Sequence, residues 1–402
     1  MQKRRIAITG LGPLAATGTG RDDFGKAVLS GRTGVKPVSL FDVSASRAKL
    51  AALVENFDVG PYLPSPKTYL DRHSELAFGA MSLALKDSGI DPANFDRSDA
   101  GLFFGTAYGN METARLFFSD FLEKGPRFVK PVLFPHAYSN TTASLLAMDY
   151  GLSGYHVNFS SGWVSSALAM LQAYDMIRHG RLNLAFTGGC DIVNQALFAG
   201  LDRERRLGTA SAVESLRGPY DANRSGFVPG DGAAIVVLEE YGRAVARGAH
   251  IAGELAGCSV VNSPGGPTAP ASLRAMSSAI AEADLGPGDI DLVVGHASGD
   301  KAIDAVELEA ISSLAKEAGR TLTAFSIKTI VGETTGAAGA LQVCTAAALI
   351  SAGLIPAIYG LRTPEAAAGV LLPTEPVAGP IRAVLVNSMD PGGSIVSFVI
   401  KS

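Results

Sequence analysis

The chain has 402 residues, of which 47% are hydrophobic and 18% are charged, and its formal net charge is -4. This composition can bury a large core and is not typical of a disordered chain. Because the net charge is slightly negative and no basic stripe occurs, a nucleic-acid partner is not indicated. The length exceeds the usual size of a single hydrophobic core, so we expect two domains or two lobes.

Strand-like and helical segments alternate along the chain. The pattern predicts strands near residues 5–9, 100–104, 182–186, 233–238, 290–294, 321–326, 382–387 and 395–401, with a turn at residues 10–13. It predicts helices near residues 22–29, 74–87, 112–122, 164–179, 303–315 and 336–353. This alternation favours an α/β fold, and the similar order in both halves suggests an internal duplication. We place the boundary between residues 248 and 249, which gives halves 1–248 and 249–402.

An uncharged stretch between Glu333 and Arg362 has to be compared with a membrane span. It is dominated by Ala and Gly, whereas a membrane helix needs about 20 mostly large apolar residues. Residues that end helices follow at Gly353 and Pro356. The stretch therefore predicts a buried core helix and no membrane partner.

The three cysteines, Cys190, Cys258 and Cys344, lie far apart in the sequence. No two of them have the spacing of metal ligands, so we expect no metal or other cofactor. An odd number of cysteines without a disulfide pattern favours a reducing compartment, and we expect a cytoplasmic protein.

Three segments resemble signatures of the β-ketoacyl synthase branch of the thiolase superfamily. They are IAITGLG at residues 6–12, RGPYDANRSGFVPGDGA at residues 217–233 and NSMDPGG at residues 387–393. They occur in the family's order, and the resemblance covers nearly the whole chain. It implies a five-layered αβαβα fold made of two duplicated halves, and it implies a dimer.

The resemblance also implies which catalytic groups should be present. A cysteine at a helix N-terminus attacks an acyl thioester, and the helix dipole favours its thiolate. Two histidines assist decarboxylation of a malonyl unit on an acyl carrier protein, and a lysine and a glutamate orient them. In this sequence the cysteine position is occupied by Trp163. An indole has one N–H donor and no nucleophilic atom, so we expect Trp163 to fill the pocket of an acyl-cysteine.

The first histidine of the family is retained as His296, and the acidic positions after it match Asp304 and Glu307. The two hydroxyls that hold the carrier's phosphopantetheine arm in the family correspond to Ser298 and Asp300. A carboxylate at the second of these positions would disfavour a phosphate-bearing arm.

The second histidine is replaced by Glu333, while the lysine is retained as Lys328. A carboxylate cannot donate a hydrogen bond to an oxyanion unless it is protonated. We expect these two residues to form an ion pair instead. The family's gating phenylalanine corresponds to Pro391, which puts the usual gate of the acyl pocket in doubt.

Two of the three catalytic positions are therefore altered in an otherwise intact scaffold. This pattern resembles the chain-length factors, the ketosynthase β subunits of bacterial type II polyketide synthases. Residues 109–129 are similar to a helix that limits the product tunnel of the partner subunit in that group. The limiting positions correspond to Met111, Ala114 and Phe118, whose spacing places them on one helix face. The same spacing is also typical of an ordinary amphipathic core helix.

We therefore expect a non-catalytic subunit that pairs with an active ketosynthase α subunit and, through it, with acyl carrier protein. The pair would catalyse decarboxylative Claisen condensation, and this chain alone would have no condensing activity. One alternative is an active acyltransferase or ketosynthase that uses Ser160, Ser161 or Cys190 as the nucleophile. Another alternative is a stand-alone acyl-binding scaffold.

Overall fold

The computed structural model describes residues 3–402. Its sixteen strands are β1 Ile6–Ala15, β2 Gly18–Thr19, β3 Lys36–Pro37, β4 Leu50–Ala51, β5 Ala100–Gly105, β6 His156–Phe159, β7 Leu184–Asp191, β8 Gly232–Glu240, β9 Gly253–Asn262, β10 Leu292–Val294, β11 Leu322–Phe325, β12 Leu354–Ile355, β13 Val370–Leu371, β14 Val377–Ala378, β15 Ala383–Met389 and β16 Ser394–Lys401. Its twelve α-helices are α1 Arg21–Leu29, α2 Arg72–Ser88, α3 Met111–Lys124, α4 Leu133–His136, α5 Thr141–Asp149, α6 Ser165–Arg178, α7 Gln195–Arg203, α8 Tyr241–Ala246, α9 Ala269–Glu282, α10 Lys301–Ala318, α11 Lys328–Val331 and α12 Ala338–Ala352.

The long strands of the two halves have the same order and the same directions. The first half runs β6-β5-β7-β8-β1 from its edge, and the second half runs β11-β10-β15-β16-β9. In each half the first three strands of this order are parallel, and the last two pair in the antiparallel direction. The halves join where β1 pairs with β9, at Ala7↔Glu254 and Ile8↔Gly253. The predicted boundary at 248/249 falls in the connection between α8 and β9.

Helices α6 and α12 lie in the middle layer, where they contact each other and strands of both halves. Helix α2 packs on the opposite face of the first sheet, and α9 and α10 cover the second. Side chains alternate accordingly, since Phe103 faces the α6 core while Leu102 and Phe104 face the α2 core. The predicted five-layered αβαβα fold with two duplicated halves is confirmed.

The apolar helical stretch Thr335–Ala352 is long and apolar enough to cross a membrane, but 78% of it is buried inside the fold. It is surrounded by α6 and by strands of both sheets. The structure therefore confirms the prediction of a buried core helix at this position.

The predicted turn at residues 10–13 is wrong, because β1 continues through them to Ala15 and pairs with β8 along this length. The glycines do not form a turn, and they allow β1 to pack closely against α2. A Cβ atom at Gly12 would collide with the carbonyl oxygen of Ala80 in α2. The sequence pattern also missed strand β9 and helices α5, α7 and α9.

The contact between β1 and α2 leads to a stability prediction. We expect Gly12→Ala to destabilise the fold by about 1–3 kcal/mol, because the added methyl group overpacks this contact. The matched control is Gly200→Ala in α7, where a Cβ would meet nothing within 4 Å. Since alanine is the better helix former, that variant should be at least as stable as the natural chain. The check is the thermal unfolding midpoint, and equal midpoints for the two variants would contradict the packing argument.

Candidate functional site

The candidate site lies at the N-terminus of the central helix α6. Edge strand β6 ends at Phe159, and one 3-10 turn, Gly162–Val164, leads into α6 at Ser165. Gly162 has a φ of +69°, a conformation that favours glycine. The Ser165 hydroxyl accepts a hydrogen bond from the Ser161 N–H and donates to the Gly162 carbonyl, which fixes the turn. The turn places Trp163 at the start of the middle layer.

Trp163 is almost completely buried, with 3% of its surface exposed. Its indole meets the Phe227 ring edge to face, with 5.2 Å between ring centroids. The His296 ring lies on another side, with 5.9 Å between centroids. Trp163 belongs to a small hydrophobic cluster that includes Phe198 and Leu207. The indole is therefore part of the core and occupies the space at the helix N-terminus.

The site contains an arginine that the sequence analysis missed. The guanidinium carbon of Arg206 lies 4.7 Å from the indole centroid of Trp163, within cation–π range. The same side chain forms an ion pair with Asp300 at 3.2 Å. Asp300 also caps α10, because its carboxylate accepts the Ala302 N–H at 3.0 Å. The negative charge at Asp300 is therefore paired within the chain, through contacts between segments far apart in sequence.

His296 is fully buried, and neither of its ring nitrogens has a hydrogen-bond partner in the described residues 3–402. Its Nε2 lies 3.9 Å from a Glu333 carboxylate oxygen. Burial lowers the pKa of His296 well below 6.5, and the positive charges of Lys328 and Arg206 lower it further. The imidazole is therefore neutral at pH 7 and sits between Trp163 and the next ion pair.

Lys328 and Glu333 form the buried ion pair that the sequence predicted. The ammonium of Lys328 lies 2.8 Å from each carboxylate oxygen of Glu333. Glu333 also accepts the backbone N–H of Thr335 at 2.9 Å. Both side chains are almost fully buried, so the charges neutralise each other. This prediction is confirmed, and the carboxylate is committed to the lysine.

Asp304 and Glu307 hold the loop that carries His296. Glu307 accepts the backbone N–H groups of His296 at 2.8 Å and of Ala297 at 2.7 Å. Asp304 accepts the Ser298 N–H at 2.9 Å, and burial raises the pKa of Asp304 to about 7. These carboxylates therefore position the loop through its backbone N–H groups.

The C-terminal glycine turn supplies another contact that sequence reasoning missed. The backbone N–H of Trp163 donates to a carboxylate oxygen of Asp390 at 2.7 Å. By resemblance, only the next residue, Pro391, stands out in the sequence as the altered position in this turn. The sequence offered one signal for this contact, which is an acidic residue directly before a proline in a glycine-rich turn.

Helix α3 connects the site to the protein surface. Met111, at its first turn, packs against the hydrophobic cluster of Trp163. Ala114 is half-buried, and Phe118 is 58% exposed, with its ring against that of Phe117. The structure therefore brings together Trp163, His296, Glu333 and Lys328, with Met111 at the edge of the group, and it leaves Phe118 at the surface.

Comparisons with known proteins match both halves of the chain. Residues 3–244 match the family described as "Beta-ketoacyl synthase, N-terminal domain", and residues 249–362 match "Beta-ketoacyl synthase, C-terminal domain". The chain belongs to the β-ketoacyl synthase family.

Three similar proteins match this chain over nearly their full length. It is 29% identical to "3-oxoacyl-[acyl-carrier-protein] synthase 2" of Vibrio cholerae serotype O1, covering 100% of both chains. It is 28% identical to a β-ketoacyl synthase from Burkholderia phymatum of known structure, with a TM-score of 0.89 and 99% coverage of both chains. It is 25% identical to the structure titled "The ishigamide ketosynthase/chain length factor", with a TM-score of 0.92 and coverage of 100% and 99%.

Within this β-ketoacyl synthase fold, the site has no nucleophilic atom at position 163, one neutral histidine, and a carboxylate neutralised by a lysine. The arrangement fills the space at the start of α6. The rings of Phe227 and His296 and the Arg206 cation lie against the indole and keep it in place.

The contact between Arg206 and Trp163 can be tested by fluorescence, because Trp163 is the single tryptophan of the chain. We expect Arg206→Ala to increase acrylamide quenching of this tryptophan about twofold, since the arginine guanidinium covers the indole. Arg203→Ala is the matched control, because Arg203 is exposed at the end of α7. Equal quenching in the two variants would show that Arg206 does not shield the indole.

Proposed function

We propose that this chain is a non-catalytic chain-length-factor subunit. It pairs with an active ketosynthase subunit and shapes the tunnel for the growing polyketide or fatty acyl chain. The observation that carries the proposal is the buried indole of Trp163 at the position where the family has its nucleophile. Without a nucleophilic atom there, this chain cannot form the acyl-enzyme, so condensation on acyl carrier protein depends on the partner.

The remaining groups of the site support the same proposal. Condensation needs imidazole nitrogens that bind a thioester carbonyl and stabilise the charge that develops on it. Here only His296 is present, and Glu333 is held by Lys328 at 2.8 Å. A carboxylate paired in this way cannot donate a hydrogen bond to a developing oxyanion.

The alternative nucleophiles have unfavourable surroundings. Cys190 is fully buried, and burial raises the pKa of its thiol well above the ordinary value, so the thiolate is disfavoured. Its sulfur donates to the carbonyl of His73 at 3.3 Å and faces the core. Ser160 and Ser161 are exposed, but no histidine hydrogen-bonds to either hydroxyl in residues 3–402. An enzyme with relocated chemistry is therefore the weaker candidate.

A group of exposed apolar side chains in one part of the chain supports the proposal of a partner subunit. Ten of the fourteen exposed large hydrophobic side chains of the described chain lie between residues 116 and 155: Leu116, Phe118, Phe121, Leu122, Phe128, Val132, Phe134, Tyr138, Met148 and Tyr155. Apolar patches of this kind mark protein interfaces. The surface leads into β6, the edge strand of the sheet, whose free side can pair with another chain.

The names of the relatives fit this arrangement. One similar structure is titled as a ketosynthase/chain length factor, and the curated relatives are named for acyl carrier protein. On this basis we propose acyl carrier protein as the substrate carrier of the complex, with a cytoplasmic location and no cofactor bound to this chain. The phosphopantetheine thioesters would be used by the partner.

The exposed part of α3 is the proposed limit of the tunnel. Met111 lies next to the sealed site, and Phe118 lies within the apolar surface where a partner would dock. A chain growing from the partner's cysteine could therefore meet Met111, Ala114 and Phe118 in the interface. The small side chain of Ala114 would leave room between the two larger ones.

Co-expression with a ketosynthase subunit that has the cysteine and both histidines tests the division of labour. We expect the two chains to co-purify as a heterodimer. After incubation with acyl-carrier thioester, intact-mass analysis should find the acyl adduct on the ketosynthase and none on this chain. An adduct on this chain would support an active enzyme. A stable homodimer that does not bind the ketosynthase would support a stand-alone scaffold.

Replacement of Phe118 tests the tunnel role in the same complex. We expect Phe118→Ala to lengthen the products by at least one condensation, because a large side chain is removed from the end of the tunnel. Leu116→Ala is the control, since it truncates an exposed apolar side chain on a different face of α3. The product distribution is measured by mass spectrometry. Unchanged products with Phe118→Ala, or equal lengthening in both variants, would count against the tunnel role.

A further inference from the structure

Asp390 places a carboxylate directly at the N-terminus of α6. One oxygen accepts the backbone N–H of Trp163 at 2.7 Å, and the other accepts the N–H of Gly392 at 2.7 Å. No lysine, arginine or histidine of residues 3–402 forms an ion pair with it. The carboxylate is therefore held only by backbone donors, one of which belongs to residue 163.

A helix N-terminus is favourable for negative charge, because its first N–H groups lack partners within the helix. An N–H at the nucleophile position is useful in acyl transfer only if it is free to bind the oxygen that becomes negative. In this chain the N–H of Trp163 already binds a full negative charge. A reacting carbonyl would have to displace Asp390 and would be repelled by it.

The surrounding turns are built around this contact. Pro391, the next residue, has no N–H, so it cannot supply a second donor. Gly162 has a φ of +69°, and a Cβ atom there would collide with the Asp390 carboxylate. The carboxylate thus lies close against the turn, and the positive φ of this turn favours glycine at position 162.

We propose that Asp390 is an internal anion that occupies the oxyanion position of this site and blocks it independently of Trp163. The inference deepens the proposed non-catalytic function. It means that restoring a cysteine at position 163 would not by itself restore a reactive thiolate. The site is then closed twice, by an indole in place of the nucleophile and by a carboxylate in place of the oxyanion.

The test introduces a thiol at position 163 of the full chain and compares three variants: Trp163→Cys, Trp163→Cys/Asp390→Asn and Trp163→Cys/Asp390→Gly. All three have the same cavity from loss of the indole, so differences between them report on Asp390. The rate at which iodoacetamide alkylates the introduced thiol is measured against pH, with peptide mapping to separate it from the three natural cysteines. We expect alkylation at pH 7 about tenfold faster in both double variants, because removal of the charge favours the thiolate.

Asp390→Asn is the decisive control, because it retains the size of the side chain and an oxygen that can accept the N–H. If Asp390 only supports the turn, Asn should behave like Asp. Identical pH profiles in all three variants would overturn the proposal. That result would leave the acyl-loading experiment on the natural heterodimer unaffected, so failure of this inference and failure of the proposed function are distinguishable.

A second measurement does not depend on the stability of the Trp163→Cys background. Labelling with ¹⁵N-tryptophan gives one backbone amide signal, because the chain has a single tryptophan. We expect Asp390→Gly to speed hydrogen exchange of this amide at least about tenfold, since its hydrogen-bond acceptor is removed. Asp390→Asn should slow the exchange relative to Asp390→Gly. Unchanged exchange in Asp390→Gly would mean that the carboxylate does not bind this N–H in solution.

Discussion

The burial of the Trp163 indole at the start of α6 is the contact on which the rest of the site depends. The ring fills the space between Phe227 and His296, with 5.2 Å and 5.9 Å between the respective centroids. Arg206 covers it from the outside, and its ion pair with Asp300 connects that cover to the cap of α10. A large aromatic side chain buried in this way contributes several kcal/mol, so the site has become part of the hydrophobic core.

The charges of the site are arranged around this core. Lys328 and Glu333 neutralise each other, and Asp390 is bound by backbone N–H groups. Removing one member of a buried pair costs about 3–5 kcal/mol, because the other charge is left uncompensated. His296 is neutral, and no hydrogen-bond partner for its ring nitrogens lies within residues 3–402. The residues therefore stabilise one another as a closed structure instead of presenting free groups to a substrate.

The contrast between this sealed interior and the surface at residues 116–155 gives the proposed function its physical basis. The buried Trp163 offers no nucleophilic atom at the start of α6, while the surface exposes aromatic side chains beside an edge strand. Helix α3 belongs to the interior and to this surface, since Met111 packs near Trp163 and Phe118 is exposed. In the proposed complex, a docked partner would bury the same helix that the core anchors.

The sequence by itself determined the α/β class, the family and the altered positions, because these depend on periodicity and on the residue types at motif positions. It also predicted the Lys328–Glu333 pair, because the resemblance places the retained lysine and the carboxylate in one motif of the site. It did not reveal that Gly10 and Gly12 continue a strand, or that Arg206 and Asp390 converge on Trp163. Only the tertiary structure decided these points: the contacts join segments separated by dozens to hundreds of residues, and no local pattern encodes such a distance.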